Sequence, residues 1–184
     1  AYTEDWTDIS DWSSITGANS CSVNQPGLLT MDCQSAAWRS IATTTKIEGR
    51  VFVTKGLNST SNLSHFTIIY SDDPQANYSG IYLSHDLAAN LDRVFIIGFG
   101  NSVYVKSVTH GWHTLKVEYT RECRFFRFNC NYGFNHYVDG VKVYRQKGNL
   151  LGPASAWVGC SSVSPGSPND GSYSHCEFKA LTIN

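Results

Sequence analysis

The stretch Gly111-Trp112-His113-Thr114-Leu115-Lys116-Val117-Glu118-Tyr119-Thr120 decides the fold class. Leu115, Val117 and Tyr119 occupy every second position, and Lys116 and Glu118 fill the positions between them. A period of two sets apolar side chains on one side of an extended chain and charged ones on the other. That is an antiparallel strand with one wetted face. Further along, Tyr137-Val138-Asp139-Gly140, followed by Val141 and Val143, repeats the alternation around an Asp-Gly pair. Asp-Gly accepts the positive φ of a tight turn, so the segment reads as a two-residue hairpin.

Runs of the same kind recur in both directions. Strands are expected at residues 27–32, 46–54, 65–70, 80–84, 93–99, 102–108, 112–120, 124–128, 135–138, 141–146, 154–160 and 176–183. Helical periodicity is nearly absent, and only residues 84–90 could form one short turn. About twelve strands at this spacing argue for two packed antiparallel sheets. Phe178, Leu181 and Ile183 break strict alternation, which places a bulge near Ala180. Residues 161–174 are serine-rich and hold Pro165, Gly166, Pro168 and Gly171, a loop composition. With 184 residues, no repeat and no linker, the chain reads as a single domain over 1–184.

Composition narrows the setting. Hydrophobic residues make up 41% and charged residues 16%, which fits a globular protein and excludes a disordered one. The net charge of −1, with Lys and Arg thinly spread, argues against a nucleic-acid partner. The longest apolar runs, such as 94–99, are too short to span a membrane. The chain starts at Ala1 without an apolar targeting segment, as a mature secreted form or a fragment would. Six cysteines without zinc-like spacing, and N-x-Ser/Thr sequons at Asn58, Asn62 and Asn77, point to an extracellular location. The expected disulfides are local. Cys21 and Cys33 flank a hairpin near Gly27, Cys123 and Cys130 bracket a short aromatic-basic segment, and Cys160 and Cys176 end two neighbouring strands.

The order of motifs resembles concanavalin A-like lectin/glucanase domains, particularly laminin G-like and sugar-binding modules of secreted proteins. The residues that carry it are Asp5-Trp6-Thr7-Asp8 with Asp11-Trp12, then Ser22-Val23 and Pro26-Gly27-Leu28-Leu29-Thr30. Phe66-Thr67-Ile68-Ile69-Tyr70, the Trp112-His113-Thr114-Leu115 strand, the Tyr137-Val138-Asp139-Gly140 hairpin and Ala156-Trp157-Val158-Gly159 follow in order. The resemblance implies an all-β, two-sheet antiparallel jelly-roll β-sandwich that faces glycans. Two departures stand out. Residues 122–135 expand a connection that is usually short, and His136 sits where an apolar core residue is expected.

Glucanases of this fold place closely spaced carboxylates on one strand, where they act as nucleophile and acid/base. No strand here carries that pattern. Asp72 and Asp73 are adjacent and would point apart, Glu118 and Glu122 straddle a strand end, and Asp92 stands at a strand start. Lyases of the fold combine Arg, Gln, His and Tyr on neighbouring strands. His65, His113 or His136 could supply the base and Tyr82 or Tyr137 the acid, although a strand histidine is more often structural. His110 and His113 diverge at a strand start and read as structural rather than as a metal pair. Many domains of this fold bind calcium. Asp72-Asp73 and Asn169-Asp170 are the loop oxygens that could contribute, but without a ligand spacing.

Aromatic residues are 13% of the chain. Trp12, Phe66, Phe95, Phe99, Trp112, Tyr119, Trp157 and Phe178 read as core or its edges. Tyr132, Phe134, Tyr78 and Tyr173 fall in expected loops. With Arg124, from the Arg121, Arg124 and Arg127 cluster, they are the candidate glycan contacts. No catalytic residue is assigned and no cofactor is required. The chain is expected to be a secreted glycan-binding or adhesion module with a glycan or protein partner. Two alternatives compete with that reading. One is a self-assembling subunit of an extracellular matrix or filament, and the other a lyase or hydrolase with an atypical site.

Protein from a host that glycosylates its secreted chains should carry N-glycans on Asn58 and Asn77, with Asn62 competing with its close neighbour Asn58. Intact mass before and after endoglycosidase treatment reads this directly, and an unchanged mass rules it out.

Overall fold

The computed structural model describes residues 2–7, 10, 13–16, 27–31, 35–41, 45–55, 63–73, 77–98, 101–124, 129–149, 154–160 and 174–184. The described residues form fourteen strands in two antiparallel sheets of seven strands each, with no helix among them. The first sheet holds β1 (Tyr2–Glu4), β3 (Leu29–Met31), β5 (Lys46–Lys55), β10 (His113–Arg124), β11 (Asn129–Val138), β12 (Val141–Lys147) and β14 (Ser174–Ile183). Its order is β1-β14-β5-β10-β11-β12, and β3 pairs with β14 beside β1. The second sheet holds β2 (Ser13–Thr16), β4 (Ser35–Ile41), β6 (Leu63–Asp73), β7 (Asn77–Asp86), β8 (Leu91–Gly98), β9 (Asn101–Thr109) and β13 (Ala154–Cys160). Its order is β2-β4-β13-β6-β7-β8-β9. This is the two-sheet antiparallel β-sandwich that the sequence implied.

The core lies between the sheets and is built by alternation. On β10, Leu115 and Val117 are fully buried while Lys116 and Glu118 remain on the outer side. Ile47, Val51 and Val53 of β5, Ile81 and Leu83 of β7, and Val94 and Ile96 of β8 complete the centre. On β14 the buried positions run Cys176, Phe178, Leu181 and Ile183. The change of phase is absorbed where pairing with β5 slips between Lys179 and Thr182, with Ala180 at φ 44°. One extra residue there lets both Phe178 and Leu181 reach the core, which is the bulge expected near Ala180. Asp139 and Gly140 have φ of 50° and 79°, as the two-residue hairpin between β11 and β12 requires.

Several expectations are corrected. β1, β2 and β4 were not anticipated, and Trp6, read as part of an edge strand, is a fully buried core residue. The described parts of residues 122–135 are strand and no loop, because β10 runs to Arg124, β11 starts at Asn129 and the two are paired up to those residues. Phe134 is therefore 1% exposed and packs in the core, and it is no glycan contact. Asp72 and Asp73 belong to β6 rather than to a loop. Phe95 faces outward from the second sheet.

Cys123–Cys130 closes the extended hairpin, and Cys160–Cys176 ties β13 of the second sheet to β14 of the first. A bridge at a sequence separation of 16 contributes about 3 kcal/mol in the chain-entropy picture. Cys21 and Cys33 lie outside the described residues.

His136, at the unexpected polar position, is fully buried and links the two sheets. The Ser79 hydroxyl donates to Gln146 Oε1 at 2.6 Å, so His136 Nε2, 2.8 Å from the same hydroxyl, carries the hydrogen and donates to it. Gln146 Nε2 in turn donates to the Gly98 carbonyl at 3.2 Å. Burial, opposed only in part by the nearby Tyr144 backbone, pushes the His136 pKa down to about 4. The unfolded chain, with an ordinary imidazole, therefore takes up this proton first as pH falls. Stability from this site is complete above about pH 6.5 and drains away toward about pH 4, by about 3 kcal/mol in total. Denaturant unfolding across that range should show the slope in the wild type and a flatter profile in His136→Met. A parallel slope in the variant would place the pH dependence elsewhere.

Candidate functional site

The outer side of the second sheet carries a cross-strand aromatic row. Tyr82 of β7 faces Phe95 of β8, which faces Tyr104 of β9. The Tyr82 and Phe95 rings stack at 5.0 Å with an interplanar angle of 6°, and Phe95 meets Tyr104 edge-on at 5.6 Å. Tyr82 and Phe95 are half-buried, and Tyr104 is 55% exposed. The Tyr82 and Ser102 hydroxyls lie 3.2 Å apart, and the Tyr104 and Ser107 hydroxyls 3.0 Å apart. A wetted row of rings with hydroxyl groups at its margin presents flat apolar surface beside hydrogen-bonding groups.

The register extends this face across the sheet. Thr67 stands opposite Tyr82, Gly159 opposite Thr67, and Ala36 opposite Gly159, so residues with small side chains continue the aromatic row. One pleat away, Ile97, Gly80, Ile69, Trp157 and Trp38 form a parallel row. Tyr78, a candidate contact, is registered with Ser71 of β6. His65 is registered with Ser84, and Ser84 with Arg93. At that end Arg93 donates to Asp86 Oδ2, and Asp86 Oδ1 accepts the N–H groups of Ala88 and Ala89. The Ala89 N–H foremost, with Arg93, holds the Asp86 carboxyl below its ordinary range against the opposing effect of burial.

The outer side of the first sheet differs in character. Arg145 donates to Thr120 Oγ1, Asn135 Oδ1 and the Asn131 carbonyl, each at 3.0 Å, and pairs with Glu122 at 3.2 Å. Lys142 and Asn135 also donate to Glu122, and these bonds, led by that of Lys142, lower its pKa. Glu118 accepts from the Tyr137 hydroxyl at 3.1 Å, and the Lys116 ammonium lies 3.7 Å from the Tyr137 ring centroid. Burial first, then the Glu118 carboxylate, raises the Tyr137 pKa. An outward position is where an active carboxylate would have to be, so parity alone does not exclude Glu118. Glu118 and Glu122 stand four residues apart on the same side of β10, and each is held by its own partners, Glu118 by Tyr137 and Glu122 by Lys142, Arg145 and Asn135.

The remaining sequence candidates are scattered. Tyr132, registered with Arg121 in the β10–β11 ladder, is 47% exposed, stacked on Tyr119 at 5.6 Å with the Arg121 guanidinium 6.0 Å from its ring. Arg124 is the last residue of β10, registered with Asn129. Asn77 is the first residue of β7. Asn58, Asn62, Tyr173, Asn169 and Asp170 lie outside the described residues. His113 is buried between Asp139 Oδ2 and the Thr109 carbonyl, each at 2.7 Å. This is a structural placement, as is that of His136. The outward Tyr82–Phe95–Tyr104 row was missed because Phe95 was counted as core. Strict alternation with buried Val94 and Ile96 was the available signal.

No protein-family model matches the chain, and no curated protein matches it. Solved structures do. An uncharacterised protein from Mycobacterium paratuberculosis superposes with a TM-score of 0.64 at 8% identity, covering 100% of this chain and 99% of that one. A LamA variant from Zobellia galactanivorans in complex with laminaritriose and laminaritetraose gives 0.62 at 10% identity, covering 100% and 97%. The kappa-carrageenase of Pseudoalteromonas carrageenovora gives 0.53 at 12% identity, covering 98% and 92%. At these identities what is shared is the fold: this chain is a β-sandwich of the architecture found in carbohydrate-active proteins.

Proposed function

We propose that the protein binds glycans on the outer face of its second sheet. The observation that carries this reading is the wetted Tyr82–Phe95–Tyr104 row with hydroxyl groups at its margin. Sugar rings stack their C–H faces on aromatic rings, and the Tyr82, Ser102, Tyr104 and Ser107 hydroxyls are placed to hydrogen-bond the sugar edge. Much of this apparatus is rigid, since it stands on strands rather than loops. Structural neighbours that include laminarin- and carrageenan-active proteins support a polysaccharide ligand. Disulfides suit a secreted module that meets such polymers outside the cell.

A second reading is favoured by one placement. His65, Tyr82 and Arg93 are brought by register onto the same face of three adjacent strands. Elimination from a uronate polymer needs a base for the proton beside the carboxylate, a cation to neutralise that carboxylate, and an acid for the leaving oxygen. Histidine, arginine and tyrosine can fill those roles. Arg93 would have to release Asp86 to do so.

One set of measurements separates the two. On a glycan array followed by affinity electrophoresis, Tyr104→Ala should weaken binding by about three- to tenfold. Folding should be unaffected, since this ring is more than half exposed. Retained affinity in this variant and in Phe95→Ala would move the site off this face. Incubation of uronate polymers with the wild type should release no unsaturated ends, read by ultraviolet absorbance. Release abolished by His65→Ala would establish the lyase. Reducing ends liberated from neutral glucans and lost in Glu118→Gln would instead establish hydrolysis on the first sheet.

A further inference from the structure

At one end of the sandwich, away from the aromatic row, three side chains from three segments converge. His85 and Asp92 are registered opposite each other near the end of β7 and the start of β8, and His110 follows β9. Both imidazoles direct Nδ1 at the same carboxylate oxygen, Asp92 Oδ1, at 2.9 Å from His85 and 3.0 Å from His110. The other oxygen, Oδ2, accepts the Gly111 N–H at 3.2 Å. Asp92 is fully buried, His85 is 3% exposed, and the His110 side chain is 22% exposed. The two imidazole rings lie 3.8 Å apart, and Phe52 covers His110 at 5.2 Å.

We propose that His85, Asp92 and His110 form a binding site for a transition-metal dication of the zinc class. The three donor atoms lie within 4.8 Å of one another. Ligands around a tetrahedral zinc stand about 3.3 Å apart, given bonds of about 2.0–2.1 Å, so each nitrogen-to-Oδ1 spacing needs a few tenths of an ångström of opening. A neutral imidazole that carries its hydrogen on Nε2 turns a lone pair on Nδ1 toward the centre. A change of tautomer in both rings therefore converts two hydrogen-bond donors into two ligands without releasing a proton.

Gly111 already orients the carboxylate through its second oxygen, as outer partners of metal ligands commonly do. Among the described residues no Lys or Arg ion-pairs with the buried Asp92 carboxylate, so a dication supplies the compensating charge. Two nitrogens and one oxygen suit zinc, copper, nickel or cobalt. They do not suit calcium, which takes six to eight oxygens. The His110 side chain, 22% exposed, is the part of the site that meets solvent.

The test uses the full chain without a histidine tag, stripped with a chelator and titrated with Co2+. One equivalent should bind with the visible absorption of a low-coordinate ion, and Zn2+ should displace it. His110→Ala, at the one partly exposed ligand, should weaken binding by at least about tenfold, whereas His175→Ala on β14 should leave it unchanged. Cu2+ bound to the wild type should show electron paramagnetic coupling to two imidazole nitrogens, a readout that needs no variant to fold. Absence of saturable binding, coupling to fewer than two nitrogens, or a Co2+ spectrum indifferent to His110→Ala would overturn the assignment.

Discussion

Burial of one face from each sheet constrains everything else in this molecule. β5 and β10 of the first sheet pack against β6 and β7 of the second. The contact works only because each strand keeps its apolar residues in one phase. A slip of one residue would turn Leu115 and Val117 to water and bring Lys116 and Glu118 into the core. A polar group between the sheets obeys the same requirement by a different means. His136 takes an inward position on β11, and the cost of burying an imidazole is met by hydrogen bonding through Ser79 and Gln146, which reaches across to the opposite sheet. At β14 the phase is restored by inserting a residue at Ala180 instead of exposing Phe178 or Leu181. Register in the core also decides which side chains point outward, and so it composes both solvent faces.

Those two faces have acquired opposite characters. Around Arg145 the first sheet is a lattice of ion pairs and amide bonds in which nearly every polar atom already has a protein partner. Its charges are mutually neutralised, and a ligand would have to displace existing bonds. The second sheet offers rings and hydroxyls whose bonds are short-range and replaceable by those of a sugar. Ion pairs of half-exposed groups contribute little to stability, so the first lattice is better understood as fixing the orientation of β10, β11 and β12 than as strengthening them.

Much of this was legible in sequence, for reasons tied to particular residues. The alternation from Leu115 to Tyr119, the Asp139-Gly140 turn and the phase break before Leu181 each depend on local geometry, and each is found as expected. What escaped is non-local. Phe134 has the composition of a loop neighbour of Cys130, yet it is buried because β10 and β11 continue pairing as far as Arg124 and Asn129. Trp6 lies in a short polar segment just past β1, yet it belongs to the core. The convergence of His85, Asp92 and His110 needs three segments to meet, and spacing along the chain shows only His85 and Asp92 as distant neighbours and His110 beside the misleading His113.

Tyr2 is registered with Ile183 on β1 and β14, so the first and last strands are hydrogen-bonded partners. The two ends of the described chain are therefore only about 5 Å apart, one strand spacing. On the far side of the sequence, residues 161–173 connect two strands that Cys160–Cys176 already holds together covalently. The linear order of the polypeptide is thus separable from its architecture. A short peptide joining β1 to the end of β14, with new ends opened inside 161–173, would trace the same sandwich as a circular permutant, the strands on either side of the opening kept in place by sulfur.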